Sequence, residues 1–211
     1  IFIQDEPVIV APEGCDATPP FGAIVSSGAG SKLVKGVIFN ILEEVVSTEM
    51  GYETWDGLLD AAGLEGAYTS LGSYPDAEIL ALVAAAAAAL GKREGEVLRW
   101  FGQRALPLLV DRYPVFFDKH DSARDFILNL NTVIHAEVRK LYAGAKCPRF
   151  TFRVDAENAL IIGYHSDRRL CDLAQGFIEG TTARYGEAVE ITPPSCEHRG
   201  DAACEFRVAW L

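Results

Sequence analysis

The sequence predicts an α+β fold in which a helical N-terminal subdomain packs on a C-terminal subdomain with an antiparallel sheet and helices. Two observations carry this. Apolar residues recur at helical spacing from Lys35 to Tyr142, and alternation with polar residues then takes over at Phe150, Phe152 and Val154. The division places a helical part at about 34–95 and an α+β part at about 96–211, after an N-terminal extension or linker at 1–33.

The extension is punctuated by Pro12, Pro19, Pro20, Gly22, Gly28 and Gly30 and has little helical periodicity. From Lys35 onward, Val37, Ile38, Ile41, Leu42, Val45 and Val46 fall on one helical face, which Gly51 interrupts. A second helix is expected over Glu53–Ala62, closed by Gly63. Ser73-Tyr-Pro-Asp76 reads as a third helix start, with Pro75 in the first turn and an alanine-rich run that ends at Gly91. A fourth helix runs from Glu94 to about Leu109. Ser122–Tyr142 is expected to be the longest helix, burying Phe126, Leu130, Val133, Ile134, Val138 and Leu141. Strands follow around Phe150–Val154 and Ala159–Gly163, then a helix at Leu170–Ala183, then strands at Ala188–Thr192 and Glu205–Trp210.

Composition removes several function classes. Of 211 residues, 49% are hydrophobic and 23% charged, a balance that folds. The formal charge of -11 opposes binding to nucleic acid or an anionic bilayer. The longest nearly unbroken apolar run, Ile79–Leu90, is too short to span a membrane. Five cysteines, an odd number, and no basic-then-apolar leader lead to the expectation of a reducing, cytoplasmic setting. No Ser/His/Asp order, paired acidic motif or phosphate-cradling glycine loop is present, so no enzymatic activity is expected.

Two groups of residues stand out. His135 lies mid-helix beside Ile134 and is expected to be at least partly buried, as a core histidine or a ligand. Tyr164, Ser166 and Arg168 follow an apolar strand; in extended chain they share one face, and two hydroxyls with a guanidinium suit carboxylates. The plain alternative for Arg168 is a surface pair with Asp167 or Asp172. Cys171, Cys196 and Cys204, with His198, have ligand types that suit zinc, although buried structural thiols have the same pattern.

From Val34 onward the chain resembles the haem nitric oxide/oxygen binding (H-NOX) domain family, in particular its bacterial NO-sensing members. The resemblance rests on Lys35-Gly-Val-Ile-Phe-Asn40, on Val133-Ile-His-Ala-Glu-Val-Arg-Lys-Leu-Tyr142, and on Tyr-x-Ser-x-Arg at Tyr164, Ser166 and Arg168. It implies a haem b group between the two subdomains, with His135 as the iron ligand and Tyr164, Ser166 and Arg168 holding the propionates. Oxygen-binding members carry a distal Tyr where this chain has Leu173, and the other implied distal positions, Ile38, Leu42 and Ala105, are also apolar. A hydrogen bond to bound O2 is worth roughly 1.5 to 3 kcal/mol, so its loss weakens O2 about tenfold to a hundredfold. The resemblance therefore implies a sensor that takes NO and CO and discriminates against O2.

In the family, NO weakens or releases the proximal His, and a partner in trans such as a histidine kinase or a cyclic-di-GMP enzyme reads the change. A partner in trans is also the expectation from the absence of an effector domain after Leu211. Some relatives hold zinc with three cysteines and a His three residues before the second, where this chain has Pro193. His198 is then the substitute ligand, or the thiols act without metal. The rival readings are a haem-independent zinc or thiol redox sensor and an O2 carrier, the second disfavoured by Leu173.

Overall fold

The computed structural model describes residues 32–211. The expected extension, apart from its last two residues, lies outside the described residues, as does Cys15. Leu33 belongs to the fold, because it opens strand β1 (Leu33–Lys35) and pairs antiparallel with Pro75. The expected helices follow as α1 (Gly36–Met50) and α2 (Tyr52–Ala62), the latter capped by Gly63 in the left-handed conformation at φ 67. Phe39, Ile41, Leu42, Val45 and Val46 of α1 are buried.

Ser73-Tyr-Pro75 does not begin a helix. It forms strand β2 (Ser73–Pro75) against β1, and α3 (Asp76–Leu90) starts one residue later. Pro75 sits at ψ 135, extended backbone, and a two-stranded ribbon, in which every strand is an edge, tolerates a residue with no N–H to give.

Helix α4 (Glu94–Arg112) is the longest, and it belongs to both halves. Phe101 and Ala105 join the N-terminal core with Phe39 and Leu82, while Leu106 joins the C-terminal core with Phe126 and Ile162. α8 (Cys171–Arg184) lies across α4 at backbone contact: a Cβ on Gly176 would stand 2.1 Å from the Arg99 carbonyl oxygen. Arg99 and Gln103 of α4 also bind Glu179 of α8, with Arg99 Nε and Glu179 Oε2 2.9 Å apart. The two cores are thus joined through one helix pair.

After α5 (Pro114–Phe117), the segment expected as one long helix is broken into three. Ser122 Oγ accepts from the Asp125 amide and opens α6 (Ala123–Leu128); a π-helical turn at Leu130–Ile134 leads into α7 (His135–Leu141). Two asparagines account for the break. Asn129 Nδ2 donates to the Asp125 carbonyl at 2.9 Å, competing with the helical ladder. Asn131 is drawn to strand β3, donating to the Phe150 carbonyl at 2.7 Å and accepting from its amide at 3.0 Å. The changed phase turns Val133 and Leu141 outward, where they are 38% and 52% exposed rather than buried.

The C-terminal half is an antiparallel sheet in the order β3-β4-β6-β5, with β3 at Arg149–Val154, β4 at Leu160–His165, β5 at Val189–Ser195 and β6 at Cys204–Trp210. β4 reads as continuous burial from Leu160 to Tyr164 because it is an inner strand covered on both faces. No helix among the described residues is long and apolar enough to cross a membrane.

Candidate functional site

Between the two cores lies a cavity of about 360 Å³, within the range of small-molecule and cofactor sites. α7 and the turn before it present His135 and Ile134 from one side, while Ile38 of α1 and Leu173 and Phe177 of α8 come from other elements. Its lining contains three cations, Lys35, Lys146 and Arg168, and no carboxylate, in a chain of net charge -11. An apolar ligand with an acidic edge fits that distribution.

His135 is half-buried, and burial lowers its pKa to about 4, aided by the nearby Arg139 charge and opposed by the Pro148 backbone carbonyl. The imidazole is therefore neutral at pH 7, the form that binds a metal. Its Nδ1 is buried without a hydrogen-bond partner. Phe150 packs beside it, ring centroids 5.8 Å apart.

Tyr164, Ser166 and Arg168 all line the cavity, but the extended alternation stops at His165. Ser166 begins a turn that the Arg169 amide closes on the Ser166 carbonyl at 3.1 Å, and Arg169 takes a positive φ of 55. Tyr164 is buried, its hydroxyl accepts from the Leu170 amide at 3.2 Å, and burial raises its pKa to about 12. Arg168 is not a surface partner of Asp167 or Asp172. Its side chain is only 14% exposed, donates to the Lys146 carbonyl at 2.8 Å and to the Leu33 carbonyl, and keeps Asp76 at 3.9 Å. Its Nε, like His135 Nδ1, is buried without a hydrogen-bond partner. A ligand carrying both a metal and carboxylates would meet each of these groups, which is what haem presents.

Of the expected distal residues, Ile38 and Leu173 line the cavity and Leu42 and Ala105 do not. Leu42 and Ala105 are buried inside the N-terminal core, 5% and 0% exposed. Ala105 is too short to reach past its neighbours, and α4 offers Phe101, Leu106 and Leu109 to the cavity instead. Besides Tyr164 and Ser166, three further hydroxyls line it: Thr181 donates to the Phe177 carbonyl at 2.7 Å, and Tyr113 and Tyr142 share one hydrogen bond. The sequence reading assigned no role to Lys35, Tyr113 or Tyr142: they are far apart in the chain, and only the fold brings them to one cavity.

The cysteines form a separate buried cluster. Cys171 and Cys196 place their sulfurs 3.7 Å apart, Cys196 and Cys204 4.0 Å, and all three lie within 4.8 Å of one another. Tetrahedral zinc with Zn–S near 2.3 Å separates its sulfurs by roughly 3.8 Å, which the two separations at Cys196 match. Pro193 directs its carbonyl to Arg199 at 2.8 Å. His198 groups instead with Cys171 and Asp172, their ligand atoms within 4.8 Å, while its Nε2 lies 2.7 Å from the Arg169 carbonyl oxygen.

The chain matches the haem-NO-binding family over residues 35–193. A comparison with curated proteins gives no match. Among solved structures, an H-NOX protein from S. oneidensis in the Fe(II)NO state is 30% identical, with a TM-score of 0.80 over 84% of this chain and 99% of that one. The H-NOX domain of the same organism in the Fe(II)CO state gives 30% identity and a TM-score of 0.76, again over 84% of this chain and 99% of that one. An Fe(II) unliganded H-NOX mutant from K. algicida gives 25% and 0.76, over 84% of this chain and 97% of that one. With the α+β fold, the inter-core cavity and the family match all in agreement, this chain belongs to the haem-NO-binding family of H-NOX domains.

Proposed function

We propose that this chain is a haem-based nitric oxide sensor that binds haem b, takes NO and CO, and excludes O2. In this reading residues 34–211 form the sensor domain. When bound, the haem iron supplies the point at which a diatomic gas attaches. His135 holds that iron from α7, and Phe150 packs against its imidazole. Tyr164, Ser166 and Arg168 hold the propionates.

One observation carries the gas selectivity. Leu173 and Ile38 line the cavity at positions where the resemblance implies the distal wall, and neither side chain has a donor to offer. A bound O2 with developing negative charge gains nothing there, whereas NO does not depend on such a bond.

Signalling follows from His135. Released from iron, α7 and the π-helical turn lose their tie to the cavity, and the α4/α8 pair that joins the cores passes the change on. The response acts on a partner in trans, a histidine kinase or a cyclic-di-GMP enzyme, in a cytoplasmic setting, and the domain has no catalytic step of its own. A pulldown of both partner classes with and without NO tests this; identical recovery contradicts it. Gas selectivity is tested by visible spectra of the reduced protein under O2, CO and NO.

A second reading has its own support. The sulfurs of Cys171 and Cys204 stand at tetrahedral zinc spacing from that of Cys196, with His198 or Asp172 beside Cys171, fitting a haem-independent zinc or thiol redox sensor. Exchanging Cys196 and Cys204 for Ser then abolishes signalling while a His135 change does not.

A further inference from the structure

Arg168 is an overcommitted guanidinium. It donates to two backbone carbonyls, those of Leu33 and Lys146, and Asp76 stands 3.9 Å from its Nε. One such group, already partly compensated, is a poor match for two carboxylates. Lys35 is the opposite case. It lines the same cavity, is half-buried, and holds its ammonium on neutral oxygens, Ser73 Oγ at 2.8 Å and the Leu71 carbonyl at 3.4 Å. No carboxylate among the described residues lies within ion-pair distance of it, although the chain has 30 acidic residues. Both of those oxygens belong to exposed residues, so the ammonium stays near water at the cavity edge while its stem lines the wall, and an anionic ligand there gains a charge partner that the chain itself does not occupy.

Position agrees. Arg168 donates to the backbone carbonyl of Leu33, two residues before Lys35 on β1, so both cations belong to one stretch of the cavity wall. Two cations at one wall suit a ligand with two carboxylates. Lys146, which also lines the cavity, is exposed and engages Arg168 through its carbonyl.

We propose that Lys35 is a further propionate anchor beside Tyr164, Ser166 and Arg168, with Ser73 positioning the lysine. The proposal rests on the haem reading and makes that reading specific for a dicarboxylate porphyrin.

The test uses the full chain and metal-free protoporphyrin IX, whose binding is read by its own fluorescence and owes nothing to His135. Wild type, Lys35→Gln and Lys35→Arg are each titrated with protoporphyrin IX and with its dimethyl ester. The expected result is a loss of about tenfold for Lys35→Gln on the diacid, affinity retained by Lys35→Arg, and no effect of either variant on the diester. Unchanged diacid binding by Lys35→Gln overturns the proposal, as does an equal loss on diacid and diester, which marks a structural role. Failure of wild type to bind haem, titrated beside the two metal-free porphyrins, overturns the haem reading itself, a different outcome from either.

Discussion

The Phe150 ring lies beside the His135 imidazole, centroids 5.8 Å apart and planes tilted by 30°, and Asn131 fixes Phe150 by bonding both its amide and its carbonyl. The environment of the proposed iron ligand is therefore set by β3, an element remote from α7 in the hydrogen-bond ladder. Phe150→Ala removes a buried ring, and the expected cost is about 3–5 kcal/mol of stability. It also opens His135 to water, so the histidine pKa rises toward its ordinary value. Denaturant unfolding and an NMR titration of the haem-free protein check the two effects.

The His135 shift has a sign that can be measured. Folded His135 titrates at about 4 and an unfolded His near 6.5, so between these values the unfolded chain holds more protons and stability rises with pH. The contribution is fully present above about 6.5 and is lost as pH falls toward 4. In haem-free protein, His135→Gln is expected to flatten the pH dependence of stability in this window. An unchanged slope contradicts the assignment.

The α4/α8 crossing allows no side chain at its centre. A methyl on Gly176 would meet the Arg99 backbone at 2.1 Å, and one on Gly102 the Leu173 carbonyl at 2.6 Å. Neither obstacle is a flexible side chain. Gly176→Ala is expected to lower stability by about 3 kcal/mol and to separate the two cores, which thermal unfolding and amide exchange across α8 detect.

The cysteine cluster predicts a metal content. Purified protein is expected to carry one zinc per chain by elemental analysis, and Cys196→Ser to lose it together with thermal stability. Metal-free wild type with titratable thiols points instead to a redox pair among Cys171, Cys196 and Cys204.

Leu173 offers a gain-of-function test. Leu173→Tyr places a hydroxyl at the cavity wall beside Ile38 and is expected to strengthen O2 binding about tenfold or more while leaving CO little changed. Gas titrations of the reduced haem protein measure both.

Much of this was legible in the sequence for a physical reason. α1 announces itself because Ile41, Leu42, Val45 and Val46 must all reach one core, and β3 because Phe150 and Phe152 alternate with polar residues. The family resemblance further singled out His135 and the Tyr164-x-Ser166-x-Arg168 set, and the structure brings all four to one cavity. What escaped is what depends on distant partners. β2 has only three residues and exists because β1, some forty positions earlier, pairs with it. The break before His135 depends on Asn131 finding Phe150, and periodicity alone cannot register that. Ala105, expected at the distal wall, does not line the cavity: burial in a core and exposure to a cavity give the same apolar signature, and only the packing of α4 separates them.

The most direct measurement is the visible absorption spectrum of the haem-reconstituted, reduced protein, taken without oxygen and then under O2, CO and NO, beside a His135→Gly variant. The account predicts a strong haem band that O2 leaves unchanged, that CO and NO shift, and that the His135 change alters. Absence of a haem band in wild type, or a band indifferent to loss of His135, would contradict it.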